Sequence, residues 1–245
     1  MRLIFSSLLA TTLVISLSAC QPIQPVAEEA ATPPPAEAAP AMEEYPTLAS
    51  GFNGPQGVLV DPEGNVWVID SGVGGDQEIP FLAPGIGPVT ATYGESARVV
   101  QIAPDGTQTD IAMLPSVAAG QDLIGGARLA LLDGNLYATS GQWVIEAGPD
   151  RLPNTGAVVQ IADGSVTEVA NTWEIENAEN PGGFAVDTHP YGLAAGADGM
   201  LWVADAGAND LLKVDPASGT VEVVAVFDGL PGPLPNPGRG DAQEM

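Results

Sequence analysis

The sequence predicts an all-β fold: a β-propeller, present as three four-stranded blades of a six-bladed ring, an incomplete arc that follows a signal peptide and a disordered linker. Three observations predict it. The first is a set of six short glycine turns in two alternating contexts. Asp61-Pro62-Glu63-Gly64-Asn65, Leu132-Asp133-Gly134-Asn135 and Ala197-Asp198-Gly199 each lead into a strand with an aromatic: Val66-Trp67-Val68-Ile69-Asp70, Leu136-Tyr137-Ala138-Thr139 and Leu201-Trp202-Val203-Ala204-Asp205. Pro104-Asp105-Gly106, Asp163-Gly164 and Asp215-Pro216-Ala217-Ser218-Gly219 instead follow Val99-Val100-Gln101-Ile102, Val158-Val159-Gln160-Ile161 and Leu211-Leu212-Lys213-Val214. The second observation is the spacing. The leading glycines stand at 64, 134 and 199, so a unit of two hairpins recurs with periods of 70 and 65, as propeller blades do. The third is that these strands are apolar on both sides rather than alternating, which suits a sheet held between neighbouring blades.

The elements follow in chain order. Met1-Arg2 precedes an apolar run from Leu3 to Leu17, which is too short to span a membrane as a helix and has the layout of a signal peptide. It ends in Leu17-Ser18-Ala19-Cys20. This segment resembles the bacterial lipobox, in which the cysteine is acylated and becomes the mature N-terminus. Residues 1–19 are therefore expected to be a lipoprotein signal peptide and Cys20 the lipidation site, with the membrane as a partner through that anchor. Cys20 is the only cysteine, so no internal disulfide is expected. Residues 20–45 are Ala, Pro and Glu with almost nothing to bury, and are expected to be a disordered tether. Fully extended, at about 3.1 Å per residue, it reaches about 75 Å. The expected location is the cell envelope, outside the cytoplasm.

Residues 46–245 are expected to hold the partial propeller, with blades at about 46–113, 114–170 and 184–228. In the turns of the Asp-Pro-x-Gly kind the aspartate sits at i, the proline at i+1 and the glycine at i+3 of a type I turn, so turn chemistry explains those acids. Antiparallel blades put all six glycine turns on one face. The other face receives the long connections 71–97, 116–127, 140–156 and 171–191, and long loops on a rigid scaffold are where function usually sits. Phe81, Tyr93, Trp143, Trp173 and Phe184 fall in or beside these loops. They are expected either to anchor a partner or to fold back and seal the blades.

Six Lys and Arg stand against 31 Asp and Glu, for a net charge of −25. Phosphate backbones need clustered Lys and Arg, so nucleic acid is excluded as a partner. The starts of the inner strands should line the central channel at Gln56, Arg128 and Tyr191, with Asp187 and His189 alongside, as a ligand face for a protein or small molecule. Asp70 and Asp205 end equivalent strands on that face. With Asn209 and Asp210 they offer oxygen ligands, and calcium prefers oxygen. The alternative is that these side chains cap their loops by bonding backbone amides. There is no GxSxG elbow, HExxH helix, P-loop or EF-hand loop, which leans against an enzyme.

Several stretches resemble the ScyD/ScyE family. The match is closest at Glu176-Asn177-Ala178-Glu179-Asn180-Pro181-Gly182-Gly183, at Val186-Asp187-Thr188-His189-Pro190-Tyr191-Gly192-Leu193 and at Val203-Ala204-Asp205-Ala206-Gly207-Ala208-Asn209-Asp210-Leu211-Leu212-Lys213-Val214-Asp215. Pro55-Gln56-Gly57-Val58 also looks like the family's opening blade. The resemblance implies a secreted propeller related to the NHL and six-bladed TolB-like groups, and no defined reaction. Where this chain has Thr188-His189 the family usually has Ser-Asn. Family members continue into further blades, so the expectation is either a shortened sequence or a ring completed by two copies. The expected function is a membrane-tethered binding or scaffold module. The alternative is a metal-dependent lactonase or hydrolase resembling the SMP-30 group.

Overall fold

The structure is a computed structural model that describes residues 45–243 apart from 84–86, 149 and 237–239. Cys20 and the 20–45 tether, save Tyr45 itself, lie outside the described residues. The first sheet holds β1 (Pro55–Val60), β2 (Val66–Asp70), β3 (Gln77–Ala83), β4 (Gly87–Ile102), β5 (Gln108–Ala119) and β6 (Asp122–Ile124). The second is built from β7 (Gly126–Leu132), β8 (Asn135–Ser140), β10 (Ala157–Ala162) and β11 (Ser165–Asn171), with the short strand β9 (Trp143–Val144) in the connection. Helix α1 (Thr172–Glu179) and β12 (Asp187–Thr188) follow. The third sheet is β13 (Pro190–Ala195), β14 (Leu201–Asp205), β15 (Asp210–Val214) and β16 (Val221–Val226). A last antiparallel pair is β17 (Leu230–Asn236) and β18 (Gly240–Gln243).

The fold is all-β, and the sheets are not closed into a barrel. Each main sheet runs outward in chain order: β1-β2-β4-β5, β7-β8-β10-β11 and β13-β14-β15-β16. That is blade topology, in which each strand hydrogen-bonds to its sequence neighbour. The turns explain the strand pairing. In Asp133-Gly134 both residues have positive φ, 49° and 77°, and in Asp163-Gly164 the values are 51° and 77°. Two successive positive-φ residues make the primed hairpin turn that matches strand twist. The first blade uses a side chain instead: both Asp61 oxygens hold Asn65, and Oδ2 also accepts from the Trp67 indole at 2.8 Å.

The blades stack face to face, which explains why their strands are apolar on both sides. Ile69, Val99 and Leu114 of the first blade pack on Leu129, Leu136 and Val159 of the second. From the opposite face of the second blade, Leu132, Tyr137 and Val158 pack on Leu201, Val203 and Leu212 of the third. Consecutive residues Val158 and Val159 thus serve two different cores, and both are fully buried.

The first sheet departs from the expected four strands. Residues 77–97, expected as loop, form the β3–β4 hairpin, and β4 and β5 run on past the blade to pair at Thr92 with Ala118. The reason lies in the period-2 pattern. Ile79, Phe81, Ala91, Val117 and Ala119 point to one side and meet Trp143, Val144 and Trp173 in a core of their own above the blades. Phe81, Trp143 and Trp173 are therefore buried, while Tyr93 and Phe184 are half-buried. The loop aromatics fold back and seal the blades. Two further connections are also ordered: 140–156 contains β9, whose two residues pair with β12, and 171–191 contains α1, whose first turn is capped by the Asn171 side chain accepting from the Glu174 amide at 3.2 Å.

Candidate functional site

The inner strands β1, β7 and β13 bring their starts together at the long-loop end. Gln56 is the second residue of β1, Arg128 the third of β7 and Tyr191 the second of β13. The Tyr191 hydroxyl donates to Gln56 Oε1 at 2.7 Å. The Arg128 guanidinium lies over the Tyr191 ring, 4.5 Å from its centroid, and donates to the Gln56 and Ala127 carbonyls. The His189 ring meets Tyr191 edge-on at 5.5 Å between centroids. Gly57 permits this approach, because a Cβ there would lie 2.6 Å from the Ala127 carbonyl oxygen.

A cleft of about 490 Å³ opens beside this group, lined by Gln56, Asp187, His189 and Tyr191 together with Phe81, Asp122, Gln142 and Gly207. All but one of the predicted ligand-face residues line it, and Arg128 stands against Tyr191 on the side of a second cavity. Gln142 was not singled out in the sequence. Its amide donates to both oxygens of buried Asp187, at 2.9 and 2.8 Å. Gly207 completes the wall: a Cβ there would lie 2.7 Å from Asp187 Oδ1 and 2.8 Å from the His189 amide. The cleft thus offers amide, imidazole, phenol and carboxylate groups beside an apolar wall, a combination suited to a polar small molecule.

The second cavity, about 290 Å³, lies on the other side of Tyr191 and is lined by Arg128, Asp205, Asn209, Asp210 and Phe227 among others. Here the residues of the calcium expectation act as loop caps. Asp205 Oδ2 accepts from the Thr188 hydroxyl at 2.5 Å, and Oδ1 accepts the amides of His189, Gly207 and Ala208 at 2.6–3.2 Å. Asp70 does the same in the first blade, accepting the amides of Asn53, Gly54 and Gly72 and the Arg98 Nε. Asp70 and Asp205 are equivalent positions, paired with Pro55 and Pro190 at the starts of their inner strands. Each ties the loop after its strand to the loop before the inner strand. Their oxygens are spent on capping. Among the described residues no group of three or more His, Cys, Asp or Glu is placed to hold a metal ion.

Buried carboxylates gather behind this loop. Glu176, on α1, is 1% exposed, and its carboxylate is buried beside the Asp187 amide. Burial pushes its pKa up to about 8, helped by the charges of Asp205 and Asp210, while the Asp187 amide pulls the other way. Burial and Asp205 push Asp210 up to about 7. Burial likewise raises Asp205 to about 6 against its hydrogen-bond donors. Those donors favour the ionised form, so at neutral pH Asp205 carries the charge and Glu176 holds a proton. In the sequence Glu176 falls in the long connection 171–191. Nothing in its eight-residue helix marks it as buried.

No protein-family model matches the chain, and no curated protein is similar to it. Solved structures resemble it loosely. A streptogramin B lyase is 16% identical at a TM-score of 0.41, over 73% of this chain and 41% of that one. A luciferin-regenerating enzyme is 16% identical at a TM-score of 0.41, over 70% of this chain and 46% of that one. A virginiamycin B lyase from Staphylococcus aureus is 14% identical at a TM-score of 0.31, over 74% of this chain and 71% of that one. The chain spans less than half the length of the first two. The blades are assigned on strand order and core packing.

Proposed function

We propose that this chain is an extracytoplasmic binding propeller of the ScyD/ScyE type, tethered to a membrane through a lipid on Cys20. It takes a polar small molecule into the cleft at Gln56, Gln142, His189 and Tyr191. The observation that supports this reading is the cleft itself. Its walls come from three blades, and its side chains are held by one another: Tyr191 by Gln56 and Asp187 by Gln142. Preorganised polar groups lose little entropy when they engage a ligand. The tether is supported by Leu17-Ser18-Ala19-Cys20, and among the described residues no helix is long and apolar enough to cross a membrane.

The test pairs binding with turnover. A panel of sugars, sugar lactones and sugar acids is screened by thermal shift against the parent and against Tyr191→Ala and Gln142→Ala. The expected result is a shift with at least one compound that both variants lose. Turnover of a lactone that needs added divalent metal and disappears in Asp187→Asn and His189→Ala would replace the binding reading with the hydrolase one. Cys20→Ala should release the protein from the membrane fraction. Equal membrane retention with the leader still cleaved would overturn the anchor.

A further inference from the structure

We propose that the third blade docks its outward face on the first blade of a second copy of this chain, two copies joining head to tail into one ring. The inference does not depend on what the larger cleft binds. It rests on strand register, which puts equivalent positions of the three blades in different surroundings. Val58, Leu129 and Leu193 each pair with the residue two places before the end of the next strand: Val68, Ala138 and Val203. Strand alternation turns all three toward the preceding side. Leu129 is buried against the first blade and Leu193 is half-buried against the second, whereas Val58 is 67% exposed. Ile69, Thr139 and Ala204 stand one place before those strand ends and pair with Val99, Val158 and Leu211. They turn toward the following side. The first two of these pairs are fully buried, whereas Ala204 is exposed and Leu211 half-buried.

The two uncovered faces are thus the two halves of a contact that the chain already makes between its first and second blades and again between its second and third. The second cavity marks the open half. Gly57 and Gly192 are equivalent, paired with Ile69 and Ala204. A Cβ on Gly57 would meet Ala127 and Arg128, at the start of the next blade's inner strand, whereas on Gly192 its nearest atoms are those of Ala204 in its own sheet. The space beside Gly192 is the second cavity, which Ala204 and Phe227 also line. The start of β1 from a second copy would fill it as the start of β7 fills the space at Gly57. On the first blade, Ala49 and Phe52 cover Val68, Val100 and Ile102 but leave Val58 and Val60 free, so the inner strand is the docking surface. The bordering charges are already paired, Arg98 with Asp70 and Asp110 and Lys213 with Asp198, so burial of apolar surface drives the contact. The occupant is a second copy because the counterpart of the third blade's face is carried by this chain's own first blade. A head-to-tail contact makes a closed ring when its rotation closes. Three blades are half of a six-bladed ring, so two copies close one.

The full chain carrying Cys20→Ala, which removes the anchor and the only thiol, is followed by sedimentation velocity and light scattering as protein concentration and salt rise. Its mass should increase about twofold and stop there, as a closed pair requires. Ala204→Glu on the third blade and Val58→Glu on the first should each raise the concentration needed by about tenfold or more, because each would bury an unpaired charge in the contact. Both positions are exposed, so the melting temperature of the monomer should not fall, which separates lost docking from lost folding. Ile69 and Leu129, the counterparts of Ala204 and Val58, share one core. With a short bis-maleimide, an equimolar mixture of Val58→Cys and Ala204→Cys proteins should therefore cross-link, and neither protein alone should. A mass that stays monomeric throughout overturns the proposal, as does growth past the dimer. So does Val58→Cys cross-linking to itself as well as to Ala204→Cys, or an Ala204→Glu protein that associates like the parent.

Discussion

Glu176 and Asp210 make the third blade's loop hold protons near neutral pH, and this sets the sign of its pH dependence. The ordinary glutamate value is 4.5, and Glu176 stands at about 8 in the folded protein. Between these values the folded state binds a proton that the unfolded state has released, so stability falls as pH rises. The contribution is complete below about 4.5 and gone above about 8. Asp210, at about 7, acts in the same direction. The melting temperature should therefore climb as pH is lowered from 8 to 6. Glu176→Gln keeps the shape and removes the ionisation. It should flatten that slope and raise the melting temperature above pH 8. A slope unchanged in Glu176→Gln would mean that other carboxylates govern it. Asp70 is a capping residue, its oxygens accepting three backbone amides and the Arg98 Nε. Asp70→Ala leaves three amides without their acceptor, while Arg98 keeps Asp110. It should cost about 1–3 kcal/mol for each buried amide left without an acceptor, read from denaturant unfolding, whereas exposed Asp163→Ala should cost far less.

At the scale of elements, the repeat was legible and the roof was not. Six turns and three aromatic strands marked the blades because turn chemistry is local: Asp133-Gly134 specifies its hairpin with no reference to the rest of the chain. The starts of the inner strands, and with them Gln56, Arg128 and Tyr191, followed from the blade geometry. The β3–β6 extension escaped because Gly72, Gly74 and Gly75 read as loop. Their space is in fact filled by backbone: a Cβ on Gly75 would lie 2.5 Å from the Tyr93 carbonyl oxygen. Gln142 and Glu176 escaped for a different reason. Each is defined by a partner 45 residues or a whole blade away, and no local pattern encodes that. The extension carries its own consequence. Phe81 is buried in the core of the roof and also lines the cleft. Phe81→Ala should cost about 3–5 kcal/mol by urea unfolding. It should also widen the cleft and weaken any ligand bound there. Stability within about 0.5 kcal/mol of the parent would show that the roof is not packed as described.

At the scale of the molecule, a blade is a sheet with two apolar faces, and among the described residues the first and third blades each pack on the second. The second blade lies between the other two, and its strands β7, β8 and β10 are mostly buried. The outer face of the first blade is different. Val58 and Val60, two residues apart on β1, point away from the second blade and are 67% and 62% exposed. They flank Val68, Val100 and Ile102, which are covered in part by Ala49 and Phe52. Exposed aliphatic pairs on a sheet face are a surface for association. A net charge of −25 opposes it at low ionic strength and less so as salt screens the repulsion. The described domain should therefore be monodisperse in dilute buffer and gain mass by light scattering as salt and protein concentration rise. Val58→Thr with Val60→Thr keeps the β-branched shape and lowers the apolar area, so it should shift that onset to higher concentration. If the double variant associates like the parent, the contact lies elsewhere, and the outer face of the first blade is not what drives it.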